Sequence, residues 1–251
     1  MERLSAAEPR RDLLQLTPQA TALAVTAAFA WLASIGVARS MGMMTSVGRL
    51  SVPTFVGIWT LMMAAMMLPG VAPVASLYAR TVRSNRWWRL VLFAFGYLLI
   101  WAATSLPAFG VALAGASLGR VQPFAAQVAS SAIFLLAGAY QLSPLKRRCL
   151  EHCRSPLTLL LQYGSYAGRL RDLRVGLHHA AYCVGCCFGL MIVLIGVGAM
   201  NLTAMLVLVV VVLLEKYWTR GVTLSRLIAL AAFGLAVLVL HFPQLTGFSA
   251  M

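Results

Sequence analysis

Apolar residues run along this chain in long blocks separated by short polar clusters, and no two-residue alternation appears inside the blocks. Runs of about 20 apolar residues predict membrane-spanning α-helices, whereas a β-barrel would need short alternating segments. Seven spans are expected, at about 18–38, 53–79, 90–115, 123–145, 178–199, 201–218 and 223–241. Only "GAMNLT", around Asn201, parts the fifth from the sixth, and the sixth ends at Glu215 and Lys216. The predicted organisation is an N-terminal segment 1–17, one transmembrane domain 18–241 with a basic loop at 146–177, and a short tail 242–251. Residues 1–20 mix acidic and basic side chains and lack the early apolar core of a cleavable signal peptide. The first span therefore reads as a retained anchor. The expected fold class is all-α, polytopic.

Composition sharpens this picture. Charged residues make up 10% of the chain, against about 25% in a soluble domain. The net charge of +14, from 20 Lys and Arg against 6 Asp and Glu, would suit nucleic-acid binding if it formed a patch. It does not. Alternating spans put 17 of the 20 basic residues on one side and leave Arg39, Arg49 and Arg120 on the other. The positive-inside rule then predicts a cytoplasmic N-terminus and an outer C-terminus, with the lipid bilayer and not nucleic acid as the partner.

Three constellations carry chemistry. In "KRRCLEHCRSP", Cys149, His152 and Cys153 share a face if the stretch is helical. In "HHAAYCVGCCFGLM", His179, Cys183, Cys187 and Met191 recur every fourth residue, with Cys186 beside them and Gly185 leaving room for a close neighbour. In "WTLMMAAMMLPG", Met62 and Met66 form one helical column and Met63 and Met67 the next, beside Pro69. Thiolates, imidazoles and thioethers together suit Cu(I), and zinc less well. Each group also has a plainer reading, since buried Cys and Met serve as packing and a helix end can carry incidental thiols. Glu215, at the foot of an apolar span, reads equally as a ligand or as an interfacial partner of Lys216 or Arg220.

In combination these residues resemble a bacterial family described as predicted metal-binding integral membrane proteins, built on a domain of unknown function. The motifs are "WTLMMAAMMLP" (59–69), "YQLSPLKRRCLEHCRSP" (140–156), "CVGCCFGLM" (183–191), "GAMNL" (198–202) and "EK" (215–216). One departure is Phe188, where a Trp is expected. The resemblance implies metal binding by Cys, His and Met in a multi-pass protein of the bacterial inner membrane. The expected function is binding of a soft transition metal, copper before zinc, near the cytoplasmic face for handling, delivery or transport. A metal-donor or metal-acceptor protein would be the partner. The alternatives are a membrane thiol–disulfide protein using Cys183 and Cys186, and an accessory subunit with incidental thiols. No catalytic residue is assigned.

Overall fold

The computed structural model describes residues 18–41, 50–81, 85–155, 163–164, 166, 168–197 and 201–242. The N-terminal segment 1–17, the tail beyond residue 242 and the middle of the 146–177 loop fall largely outside the described residues. The elements are α1 (Pro18–Met41), α2 (Val52–Thr81), α3 (Arg86–Ala103), α4 (Ser105–Val121), α5 (Pro123–Gln141), α6 (Pro144–Arg154), α7 (Arg171–Val197), α8 (Leu202–Tyr217) and α9 (Gly221–His241). No strand occurs among the described residues. The protein is an all-α, polytopic bundle.

Among the described residues, six stretches are long and apolar enough to cross a bilayer. One of them, 86–121, joins α3 to α4 through Thr104, whose backbone stays helical. It outruns the expected span 90–115 at both ends, by residues 86–89 and 116–121. The sixth expected span becomes α8, of 16 residues. At 1.5 Å per residue that is about 24 Å, short of a hydrocarbon core of about 30 Å. Asn201 caps its start by accepting a hydrogen bond from the Ala204 amide at 3.0 Å, which explains the polar break in the sequence.

Helices α2 and α7 form the centre: 61% and 56% of their most apolar stretches are buried, against 22% for α1. Asp172, at the start of α7, fixes three helix ends together. It accepts from Tyr78 of α2 at 2.5 Å and pairs with Arg89 of α3 at 2.9 Å. Helices α3 and α7 then pack backbone to backbone. A Cβ at Gly96 would lie 2.5 Å from the Leu173 carbonyl oxygen, and one at Gly176 would collide with the Phe93 carbonyl oxygen. Gly176→Ala is accordingly expected to destabilise the bundle by about 1–3 kcal/mol or more, as overpacking does. A thermal unfolding midpoint equal to wild type in detergent would contradict that close approach.

The other helices end at a different depth. Tyr140, closing α5, donates to the Gly185 carbonyl at 2.6 Å, and Lys216, closing α8, reaches Cys183 at 3.1 Å. Asp172 and Cys183 are eleven residues apart, so α7 extends about 16 Å beyond that level. The result is a step, and α6 lies across it. The predicted loop thus contains a helix at its start, while its last residues are the first turns of α7.

Candidate metal centre

Helix α6 forms where it does because Ser143 caps it, accepting from the Lys146 amide at 3.1 Å, with Pro144 at its first position. Lys146, Cys149, Leu150 and Cys153 follow at helical spacing and make its buried face. Both ends are tied to the α8–α9 corner. Lys146 bonds both Glu215 carboxylate oxygens at 2.8 Å and also donates to Gln141. Arg154 donates to the Glu215 and Trp218 carbonyls at 2.9 and 2.7 Å, satisfying the open end of α8. Cys149 packs onto Gly185, where an added Cβ would sit 2.6 Å from its Sγ.

Against this face α7 presents its thiols. The Sγ atoms of Cys183, Cys186 and Cys187 lie within 4.8 Å of one another. Cys186 is the hub, 3.4 Å from Cys187 and 3.8 Å from Cys153 across the helix interface. With metal–sulfur bonds near 2.3 Å, sulfurs sharing one ion stand roughly 4.0 Å apart in a trigonal set and 4.6 Å in a linear one. The Cys186–Cys187 and Cys186–Cys153 separations, 3.4 and 3.8 Å, are slightly shorter than the trigonal value, so an ion would draw these sulfurs apart by about 0.2–0.6 Å to share them. All five cysteines are free and buried. Exposure grades outward: Cys183, Cys186 and Cys187 show 0–1% and Cys153 8%.

Cys183 has two polar neighbours, the Tyr97 hydroxyl at 3.0 Å and the Lys216 ammonium at 3.1 Å. Lys216 is itself 5% exposed, so a cation is buried directly against the thiols. It supplies charge balance for a thiolate or a metal–thiolate group in a dry setting. From the sequence, Glu215 reads as either a ligand or an interfacial partner of Lys216 or Arg220. Adjacent residues on a helix point about 100° apart, and the structure gives Glu215 to Lys146, at 2.8 Å, and to Ser225, at 2.9 Å, while Lys216 goes to Cys183. Glu215 is therefore engaged in an ion pair away from the thiols.

The remaining candidates divide. Met62, Met63, Met66 and Met67 are all buried in the same core as the thiols. A Cβ at Gly70, one turn beyond Met66 and Met67, would lie 3.5 Å from the Lys216 Nζ, which sets that turn beside the cluster. Met191 lies farther along α7, lining an apolar cavity of about 270 Å³ with Trp59, Trp101 and Phe188. His179 sits one turn before Cys183, with Nδ1 3.4 Å from the Tyr163 hydroxyl and its ring beside Phe93 and Tyr97. His152 flanks the buried face of α6, stacked on Tyr182 with centroids 3.7 Å apart. Burial, and then His178 nearby, push its imidazole below the ordinary range, which keeps it neutral near pH 7. Burial raises the Cys149 thiol. Tyr97 and the cluster-facing role of Lys216 went unread in the sequence, because only the tertiary fold brings them to Cys183.

The fold is an all-helical bundle of the multi-pass type, and its buried Cys183, Cys186 and Cys187 could hold a metal ion. Residues 56–239, from α2 through α9, match the model of a family described as PpoB2: Copper chaperone. The chain belongs to this copper chaperone family. No curated protein and no solved structure gives a significant match.

Proposed function

We propose that the chain holds Cu(I) between Cys183, Cys186, Cys187 and Cys153 and passes it to an acceptor protein. The observation that carries this reading is the convergence of three buried sulfurs within 4.8 Å, with a fourth at 3.8 Å. Thiolates are soft ligands and favour Cu(I) over harder ions. The Met residues of α2 supply a polarisable, uncharged wall that keeps water from the site without competing for protons. Transfer begins at Cys153, the most accessible of the four thiols and the one carried on the surface helix α6. An acceptor offering its own soft ligand would engage Cys153 first, then draw the ion from Cys186. Positive-inside logic places this edge on the cytoplasmic side of the bacterial inner membrane.

The test is loading under reducing conditions in competition with a chromophoric Cu(I) chelator, followed by transfer. Copper held by the wild-type protein but released to a thiol-bearing acceptor peptide supports delivery. Protein that acquires no copper, or that oxidises to a Cys183–Cys186 disulfide in preference to loading, would replace this reading with the thiol–disulfide one.

A further inference from the structure

Outside the thiol cluster, α6 and α7 bring two imidazoles together. His152 and His178 have ring centroids 6.2 Å apart, with planes inclined by 72°. His152 Nε2 and His178 Nδ1 are both buried and have no hydrogen-bond partner among the described residues. A buried polar nitrogen without a partner is costly and calls for an explanation. Two such nitrogens on facing helices call for a shared one. Ring nitrogens bind a metal at about 2.0–2.1 Å, so two imidazoles holding one ion have centroids roughly 5–6.4 Å apart, depending on the bond angle. The observed separation falls inside that window.

Position gives the pair a direction. His178, Tyr182 and Cys186 form one column of α7, each four residues from the last. His152 is the neighbour of Cys153 in α6, and Cys153 meets Cys186 at 3.8 Å. Along the α6–α7 seam, two neutral nitrogen donors therefore precede two sulfur donors, and the seam deepens toward the three-sulfur group. Tyr163 and Tyr166 flank His178 with centroids 5.9 and 6.1 Å away, and His152 stacks on Tyr182.

We infer that His152 and His178 form a separate receiving site for a soft monovalent ion, Cu(I) or Ag(I), from which the ion moves to Cys153 and Cys186. The inference rests on the thiol cluster being the storage site. Transfer is a ligand exchange without redox change: an N–metal bond breaks as an S–metal bond forms, and the thiol proton leaves to water or to the freed imidazole. Nitrogen before sulfur makes the direction downhill for a soft ion.

The experiment compares wild-type protein with His152→Gln/His178→Gln in detergent, following thiolate-to-copper absorbance after rapid mixing with Cu(I). The variant is expected to fill its thiols at least about tenfold more slowly while reaching the same end point, since loss of metal-supporting groups commonly costs 10–100-fold. Filling at the wild-type rate would overturn the inference. A second measurement needs no substitution. Once the thiols are filled, a further equivalent of Ag(I) should protect His152 and His178, but not His241, from carbethoxylation mapped by mass spectrometry. Equal labelling with and without that equivalent would also overturn it. Wild-type protein whose thiols take up no metal would instead refute the storage site itself, a result visible before either histidine comparison is made.

Discussion

Cys186→Ser is expected to lower Cu(I) affinity by about 1,000-fold or more, equivalent to about 4 kcal/mol. Cys186 is the one thiol in contact with both Cys187 and Cys153. Its removal breaks the contact between Cys153 and the α7 thiols and reduces the remaining α7 set to Cys183 and Cys187. Serine offers a hard oxygen where a soft ion needs sulfur. It also buries a hydroxyl at a position 1% exposed, so some loss of stability, about 1–3 kcal/mol, accompanies the change. The control is Cys149→Ser. Cys149 packs on Gly185 beside the group, so its replacement should change affinity only a few-fold. Competition titrations giving equal losses for the two variants would show that the thiols do not act as the site drawn here.

The second large effect belongs to a residue that need not touch the ion. Lys216→Leu should weaken Cu(I) binding by about 10–100-fold, the range seen when a group supporting metal ligands is removed. Three thiolates around one Cu(I) carry an excess of negative charge, and the pocket is closed to water. Lys216, at 3.1 Å from Cys183, is the cation that offsets it. Leucine removes the charge without adding a sulfur ligand and keeps much of the apolar packing beside Gly70. Lys146→Leu serves as the contrast. It breaks the buried pair with Glu215, which lies on the other side of α8, and should lower stability with a smaller change in affinity. Chelator competition and thermal unfolding, run on both variants, separate the two roles. Affinity lost equally in both would place Lys216 among the structural residues.

The bundle was legible in the sequence because a span of 20 apolar residues leaves little choice to the backbone. The columns His179–Cys183–Cys187 and Met62–Met66 were legible for the same reason, since helical spacing fixes which residues share a face. What lay across from each column was not. "CLEHCR" showed Cys149 and Cys153 on one face of a helix, but not that Arg154 and Lys146 would tie that helix to the α8–α9 corner. The doubled "HH" gave no hint of the division of labour that the packing imposes. His179 turns into the aromatic core with Tyr163, while His178 meets His152. In the charged pair "EK", Glu215 read equally as a ligand and as an interfacial ending, because charges at span ends often are one. Here the two side chains diverge, one toward Lys146 and one toward Cys183, and that divergence depends on α6, which no apolar pattern announces.

The central claim is that copper is held by sulfur at the α6–α7 junction. X-ray absorption at the copper edge, on wild-type protein carrying one equivalent of Cu(I) under reducing conditions, tests it most directly. A first shell of sulfur alone is expected, about three scatterers near 2.3 Å, with fewer sulfur scatterers in Cys186→Ser. A first shell of nitrogen or oxygen at one equivalent, or an unchanged sulfur shell in that variant, would contradict it.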